Sequence, residues 1–271
     1  MAELKGLQFL GRIGTLSAYK RKDSDKTFLR GKGGGSKETI ATSPNCGVVR
    51  QNNAEFGGRS KMGRGIRKSL ERLGWLADHN ISASLNTVLR PVQLVDTVSL
   101  LGERNILLSR SSHFLQGFNY NRRYPFESVV RNQIQYTIDP ATLSAKLAIP
   151  DLLPGINLFI PNKNPLFGFC FVLAAVPDCV FVKGVKSYYT LDDPGASCLG
   201  QESNVETVWY PSYEGCKAME IELKLPKPVI ASSFTLVLGV GIMYGTLGIG
   251  GEVMRVENAG CAKVIGALGV Y

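Results

Sequence analysis

The sequence predicts an α+β fold, in which a basic N-terminal hairpin plus helices precede an antiparallel β-sandwich or barrel-like body. Three observations predict it. Positive charge is concentrated early in the chain, apolar residues there recur at helical spacing, and after about residue 105 short apolar runs alternate with turn residues. We therefore divide the sequence into a basic hairpin-plus-helix arm, residues 1–103, and an antiparallel β body, residues 104–271.

The charge asymmetry is the strongest functional signal in the sequence. Sixteen of the 31 Lys and Arg residues, but only six of the 22 Asp and Glu residues, precede Gly74. This part therefore carries ten more cations than anions, whereas the rest of the chain carries one more anion than cations. A concentrated cationic segment acts through its field on phosphates or on an acidic partner, without a catalytic pocket.

The arm begins with a predicted hairpin. Strand-like stretches at residues 7–19 and 27–30 flank a charged turn at residues 20–26, which is typical of two paired strands. Gly11 and Gly14 interrupt the first stretch, so we expect a bulge or a close contact there. The glycine-rich residues 31–36 predict a flexible joint.

Helices are predicted after the joint. Pro44 follows Ser43, a typical helix start, and the glycine pair at residues 57–58 is expected to interrupt that helix. Residues 59–76 predict a basic amphipathic helix, in which either Leu73 or Trp75 extends the apolar side. Residues 80–102 predict helix or short helices with Pro91 as a breaker.

The body is predicted to consist of short strands separated by Pro, Gly, Asn and Asp. Several strands at this spacing favour an antiparallel sandwich or barrel. The candidate strands are residues 105–109, 133–138, 144–149, 166–175, 205–209, 218–225, 234–244, 252–257 and 262–268.

Residues 229–251 are uncharged and have the length of a membrane-spanning helix. Their even positions from 234 to 242 are all bulky, which gives a period of two instead of 3.6. Six glycines also disfavour a helix, whereas in a strand Gly239 and Gly241 can admit a closely approaching backbone. We therefore expect buried strands and no membrane insertion, with a membrane helix as the alternative.

Three motifs of the arm occur together: G-x-x-G-x-x-x-x-Y-K, R-x-K-G-G and N-x-x-E-F-G. Their residues are Gly11, Gly14, Tyr19, Lys20, Arg30, Lys32, Gly33, Gly34, Asn52, Glu55, Phe56 and Gly57. With the GFNYN stretch at residues 117–121 and the LVLGVGIMY stretch at residues 236–244, the chain resembles an uncharacterised family of proteins common in Bacteroidota. The resemblance implies a shared architecture, a glycine-interrupted basic hairpin and helix before a β-rich body, and it implies no known activity.

Catalytic and metal-binding patterns are weak in this sequence. The six cysteines are scattered without a C-x-x-C pair, and His79 and His113 are the two histidines, so we expect no metal and no cofactor. Residues 31–38 depart from the order of a phosphate-binding loop, and neither histidine adjoins a nucleophile motif. We predict that the protein is not an enzyme. Without an export signal, we also expect a cytoplasmic protein with free or buried thiols.

The basic arm supplies the candidate nucleic-acid-binding residues, because clustered cations can neutralise several phosphates. Aromatic residues able to stack on bases are sparse there, since Tyr19, Phe28 and Phe56 are typical of core positions. The candidates are Lys20, Arg21, Lys22, Arg30, Lys32, Arg59, Lys61, Arg64, Arg67, Lys68 and Arg72.

The preferred hypothesis for function is a non-enzymatic structural subunit that self-associates. Its basic arm would bridge neighbouring copies or bind an acidic polymer, because a polar arm too small for a full core is expected to dock somewhere. Docking on its own body is equally open. The alternative function is a nucleic-acid-binding protein that uses the same cations without strong sequence specificity.

Overall fold

The computed structural model describes residues 2–3, 9–20, 26–31, 35–190 and 200–271, without the side chains of Ala2, Glu3 and Asn258. The chain divides into two compact units, Met1–Arg50 and Gln51–Tyr271. The α-helices are α1 (Lys37–Thr42), α2 (Gly47–Ser69), α3 (Glu71–Gly74), α4 (Ser82–Leu94) and α5 (Phe126–Val129). Short 3-10 turns lie at Pro44–Cys46, Leu108–Arg110, Ser112–Phe114 and Pro161–Lys163.

The strands form four antiparallel sheets within the described residues, and none of these sheets closes into a barrel. The α+β prediction is confirmed at this level. The strands are β1 (Ala2–Glu3), β2 (Gly11–Ile13), β3 (Leu16–Lys20), β4 (Thr27–Gly31), β5 (Gln135–Asp139), β6 (Ser144–Ile149), β7 (Leu166–Pro177), β8 (Cys179–Val182), β9 (Ser187–Thr190), β10 (Gln201–Glu206), β11 (Tyr210–Pro211), β12 (Met219–Lys224), β13 (Phe234–Leu247) and β14 (Val253–Val270).

The first unit contains a small sheet with the strand order β1-β4-β3-β2. The predicted first strand is divided in two, because Gly14 has a φ of 55° and turns the chain between β2 and β3. Among the described residues of this unit, Ala18 and Thr27 are the ones that are buried. Apolar residues such as Leu10 and Ile13 are exposed at 58% and 62%. The described part of the unit therefore has almost no core of its own.

A central sheet with the order β10-β7-β13-β14 organises the second unit, and β11 also pairs with β7. Its two long inner strands, β7 and β13, are buried on both faces. Successive side chains point to opposite faces of a strand, so Phe169 and Leu238 enter one core while Val172 and Val237 enter the other. The period of two that the sequence shows along residues 234–244 is this alternation.

The two cores have different partners. One core joins one face of the central sheet to the apolar sides of α2, α3 and α4, including Ile66 and Leu85. The other core joins the opposite face to the three-stranded sheet β12-β6-β5, including Leu147 and Leu223. Helices therefore cover one face of the central sheet, and a second sheet covers part of the other.

Two glycines of β13 make room for the helical layer. A Cβ atom on Gly239 would lie 2.3 Å from Cδ1 of Leu73, and one on Gly241 would lie 2.3 Å from Cδ1 of Leu76. Both leucines are fully or almost fully buried. The close approach that we expected at these glycines is therefore confirmed, but leucine side chains make it, not another backbone.

Two predicted helix breaks are wrong. α2 continues through Gly57 and Gly58. A Cβ atom on Gly58 would lie only 2.7 Å from the ring of Tyr188, which packs directly against the helix at this position. Glycine is required there for packing, although it lowers helix propensity. Pro91 also lies inside α4 instead of ending it.

The boundary between compact units differs from the predicted division at residues 103 and 104. Residues of α2, α3 and α4 share a buried core with β7, β13 and β14, so the helices after Arg50 belong to the same unit as the sheets. The cause is the wide apolar side of these helices, which can be buried only against another layer.

Most candidate strands of the body are confirmed, with shifts at their ends. Residues 252–257 and 262–268 merge into the single strand β14, and residues 205–209 overlap β10 only at its end. The strand predicted at residues 105–109 is wrong. The buried carboxylate of Asp178 accepts hydrogen bonds from N–H and Oγ of Ser109, at 2.9 and 2.5 Å, and this fixes a 3-10 turn.

The uncharged stretch predicted as strands forms β13 and the turn that follows it. Across the described ranges, no helix combines the length and the apolar character needed to cross a membrane.

The adjacent glycines of α2 provide a matched test of this packing. We expect Gly57→Ala to stabilise the protein by about 0.5 to 1 kcal/mol, because its Cβ would meet nothing within 4 Å and alanine favours helix. We expect Gly58→Ala to destabilise it by about 1 to 3 kcal/mol, because the new Cβ collides with Tyr188. Urea denaturation of both variants measures the difference, and equal effects would contradict the packing of Tyr188 on α2.

Candidate nucleic-acid interface

The predicted cations of the arm fall in two places. In the first unit, Lys20 ends β3 and Arg30 lies in β4, and both side chains are exposed. The three other hairpin candidates, Arg21, Lys22 and Lys32, lie outside the described residues. The remaining six candidates lie on α2 and α3. Three of them have partners in the fold, and three have none among the residues that the structure describes.

Arg59 is half-buried and belongs to the fold. Its Nη1 donates a 2.5 Å hydrogen bond to Oε1 of Gln93, a fully buried residue of α4. Burial is the largest cause that lowers the pKa of Arg59, and the charge of Arg90 lowers it further, against the opposing effects of Glu55 and Tyr188. The arginine therefore joins α2 to α4, and its Nη1 is engaged within the fold.

Gln93 extends this contact into a buried polar network. Its Nε2 donates to the carbonyl oxygen of Arg104 at 3.0 Å and lies 3.1 Å from the hydroxyl of Tyr188. The Tyr188 hydroxyl also donates to the Arg104 carbonyl at 3.0 Å. Buried Glu55 accepts from the N–H of Gly102 at 3.0 Å and lies 3.5 Å from Nε of Arg104. Satisfied buried networks of this kind fix one arrangement of the surrounding elements.

Lys61 and Arg72 are also engaged. Nζ of Lys61 donates to Oγ of Ser187 at 2.7 Å and to the carbonyl oxygen of Tyr188 at 3.1 Å, which ties α2 to β9. Arg72 forms a 2.9 Å ion pair with Glu206 at the end of β10. Both contacts are partly exposed, so each contributes modestly to stability.

Arg64, Arg67 and Lys68 are different, and we call these three residues the α2 cation row. All three side chains are exposed. Within the described ranges of the chain, none of them has a hydrogen bond, ion pair or ring contact. Residues three and four apart are neighbours on a helix surface, so the three charges lie together. The opposite side of α2, including Met62 and Ile66, is fully buried and holds the row in place.

An exposed tryptophan follows the α2 cation row. Of the two residues predicted to extend the apolar side, Leu73 is fully buried and Trp75 is 51% exposed. The guanidinium carbons of Arg72 and Arg255 lie 5.5 and 5.7 Å from the centre of the Trp75 ring. Arg255 comes from β14, which is distant in sequence, and this explains why sequence reasoning did not identify it.

More aromatic rings lie beside the cations of α2 than the sequence indicated. Phe56 on α2 is 55% exposed, not a core residue, and Arg59 lies 5.9 Å from its ring centre. Nζ of Lys61 lies 4.6 Å from the ring centre of Tyr189. Interleaved cations and aromatic rings are typical of surfaces that bind unpaired nucleic acid.

Carboxylates near Trp75 limit the positive surface. Glu71 is exposed, and Glu202 lies close enough to feel the charges of both Glu71 and Arg72. Burial is the main cause that raises the pKa of Glu202, the charge of Glu71 raises it further, and Arg72 opposes both. The positive surface is therefore strongest along the α2 cation row and becomes mixed toward β10.

Neither histidine was predicted to be catalytic, and the structure places His79 in a small polar cluster. Its Nδ1 lies 2.7 Å from Oδ1 of Asp78, and its Nε2 lies 3.4 Å from Oγ of Ser84. Burial alone would raise the pKa of Asp78, but hydrogen bonds from the N–H groups of Arg123 and Arg122 and from His79 lower it. Asp78 thus anchors the loop at residues 122–123, and this bonding explains the cluster without a substrate.

No group of three or more His, Cys, Asp or Glu residues in the described ranges is arranged to hold a metal ion. A groove of about 510 Å³ lies on the outer face of the three-stranded sheet. It contains Lys146, Glu220 and Glu222, and Nζ of Lys146 lies 3.9 Å from Glu222. Its net charge is unsuited to phosphate.

Comparisons of the chain with protein-family models, with curated proteins and with solved structures found no significant match. The resemblance to a Bacteroidota family therefore stays a prediction.

The division between engaged and unengaged cations can be measured as stability. We expect Arg59→Met to lower the free energy of unfolding by about 1 to 3 kcal/mol, because Oε1 of buried Gln93 loses its donor. The matched change Arg64→Met is expected to stay within about 0.5 kcal/mol of the unchanged protein, because Arg64 is exposed and unpaired. Urea denaturation compares the two variants. Equal losses in the free energy of unfolding would contradict the assignment of Arg64 to the α2 cation row.

Proposed function

We propose that this protein is a non-enzymatic nucleic-acid-binding protein and that the α2 cation row contacts the phosphate backbone. One observation supports this function above the others. Arg64, Arg67 and Lys68 are exposed and unpaired within the described residues, on a helix whose opposite side is buried in a core. The helix therefore holds three cations side by side at little cost in backbone entropy on binding.

The same geometry supports binding without strong sequence specificity. Phosphate contacts position a protein on nucleic acid but carry no sequence information, whereas base contacts specify sequence. The α2 cation row consists of two arginines and one lysine, which flank the buried residues Gly65 and Ile66. Such a row matches the regular charge of a backbone, so affinity is expected to arise mainly from counterion release.

The row is tested by the salt dependence of binding. We expect the triple change Arg64→Gln, Arg67→Gln and Lys68→Gln to weaken oligonucleotide binding. It should also make the slope of log K against log salt concentration shallower by about 2 to 3, because each phosphate contact contributes about 0.7 to 0.9 to the slope. Fluorescence anisotropy over a range of salt concentrations measures both quantities.

The matched control changes Lys217, Lys224 and Lys227 to Gln. These lysines are exposed in the body and carry the same total charge. If the control lowers the slope as much as the row variant does, net charge alone drives binding and α2 is not the contact.

A second function, a structural subunit that self-associates, is favoured by a separate observation. The described part of the first unit buries little more than Ala18 and Thr27 and exposes Leu10, Ile13 and Leu16. Its strand β2 pairs only with β3 among the described strands, so it leaves one edge open. A small sheet with no core and an open edge is stabilised by pairing with another surface, such as a neighbouring copy.

Deletion of residues 1–35 tests self-association. We expect the full chain to form a high-mass species at moderate salt and the shortened chain to lose it, because the shortened chain lacks the sheet of the first unit. Size exclusion coupled to light scattering measures the mass, and circular dichroism checks that the second unit stays folded. A high-mass species that persists without residues 1–35 would remove this role from the first unit.

Two finer predictions belong with these proposals. We infer that the body is a sandwich, supported by the core that joins the central sheet to β12-β6-β5 through residues such as Phe171 and Leu223. A cytoplasmic location also remains part of the proposal.

A further inference from the structure

We infer that the polymer bound at the α2 cation row is single-stranded and that Trp75 stacks on one of its bases. This inference depends on the proposed nucleic-acid-binding function, whose partner class it makes specific. It arises from the position of an exposed aromatic ring directly after the row, together with the arginines that surround the ring.

The backbone at Trp75 is held firmly. Its N–H donates to the carbonyl oxygen of Glu71 at 3.2 Å, and it lies between Leu73 and Leu76, which are buried against β13. The ring itself remains 51% exposed. A large apolar ring on a fixed backbone is available for contact and loses little conformational entropy when a partner binds.

Two arginines from different elements surround the ring. Their guanidinium carbons, at 5.5 Å for Arg72 and 5.7 Å for Arg255, are within the range of cation–π attraction. Arg72 is oriented by its ion pair with Glu206, whereas Arg255 has no carboxylate within ion-pair distance among the described residues. Arg255 is therefore the cation at the ring that can contact a phosphate.

The ring also lies close to the row along the chain. Trp75 follows Lys68 by seven residues, across the junction between α2, which ends at Ser69, and α3, which begins at Glu71. Seven residues of chain span at most about 25 Å, which is the length of a few nucleotides. A backbone that contacts Arg64 and Lys68 can therefore continue to the ring. Proteins that bind single strands combine a positive surface along the backbone with aromatic rings on which bases stack.

A duplex would not use this ring, because its bases are already stacked on one another and inaccessible from outside. The carboxylates of Glu71, Glu202 and Glu206 near the ring also repel a second phosphate backbone. An unpaired base satisfies both constraints, because it presents an uncharged face to Trp75 while its own backbone follows the cations.

The chain offers a matched pair of spectroscopic reporters, because its tryptophans are Trp75 and the half-buried Trp209. In Trp209→Phe the fluorescence comes from Trp75 alone, and in Trp75→Phe it comes from Trp209 alone. Each variant is titrated at low salt with an oligothymidylate, with an oligouridylate and with a DNA duplex of equal length. The unchanged protein and Trp75→Ala are titrated in parallel by anisotropy.

We expect single strands to quench Trp75 in the Trp209→Phe variant and to leave Trp209 unquenched in the Trp75→Phe variant. Trp75→Ala should bind single strands about ten-fold more weakly, with an unchanged salt slope, because stacking removes no phosphate contact. Its affinity for the duplex should not change. Quenching by either oligonucleotide supports the inference, since every base has a stacking face.

Two results would overturn the inference, and they differ in what they say about the proposed function. If single strands and duplex bind with a salt slope that depends on the α2 cation row, but Trp75 is not quenched and Trp75→Ala binds normally, stacking is excluded and the row remains. If neither polymer binds at low salt, both the inference and the nucleic-acid-binding function fail.

Discussion

The contact between Leu73 and Leu76 and the glycine face of β13 determines how the rest of the second unit is arranged. Cβ atoms at Gly239 and Gly241 would lie 2.3 Å from the leucine side chains, so these two glycines allow α3 to approach the central sheet. Because Leu73 is buried there, Trp75 is turned outward. The contact also fixes the end of α2, so the buried side of that helix faces the sheet and the α2 cation row faces solvent.

A polar contact fixes the same helical layer near the middle of α2. Tyr188 packs against Gly58, and its hydroxyl joins Gln93 and the Arg104 carbonyl. Arg59 completes this network, so a residue that looks like a nucleic-acid contact in the sequence stabilises the fold instead. The cations are therefore divided by burial: those that meet a polar partner across the helical layer are structural, and those on the outer side remain free.

The strands were predictable because periodicity is local. β13 is a long apolar run in which bulky residues recur with a period of two, and this period favoured a strand over a membrane helix. Helix boundaries were less predictable, because Gly58 is needed to admit the ring of Tyr188, which is distant in sequence.

The site was likewise only partly predictable from local sequence. Arg64, Arg67 and Lys68 were identified from charge spacing, but the partners of Arg59 and the Arg255 beside Trp75 come from distant elements that no local pattern indicates.

We propose that the exposed α2 cation row of the second unit binds nucleic acid, while the described part of the first unit has almost no core. Whether the purified protein carries nucleic acid decides this proposal. The most direct measurement is size exclusion at low salt on protein purified without nuclease, with the ultraviolet absorbance ratio recorded across the peak. We expect bound nucleic acid to raise the absorbance ratio at low salt, and the ratio to return to that of protein at high salt. A peak with the ratio of protein alone at low salt, which also fails to retain an added single-stranded oligonucleotide, would contradict it.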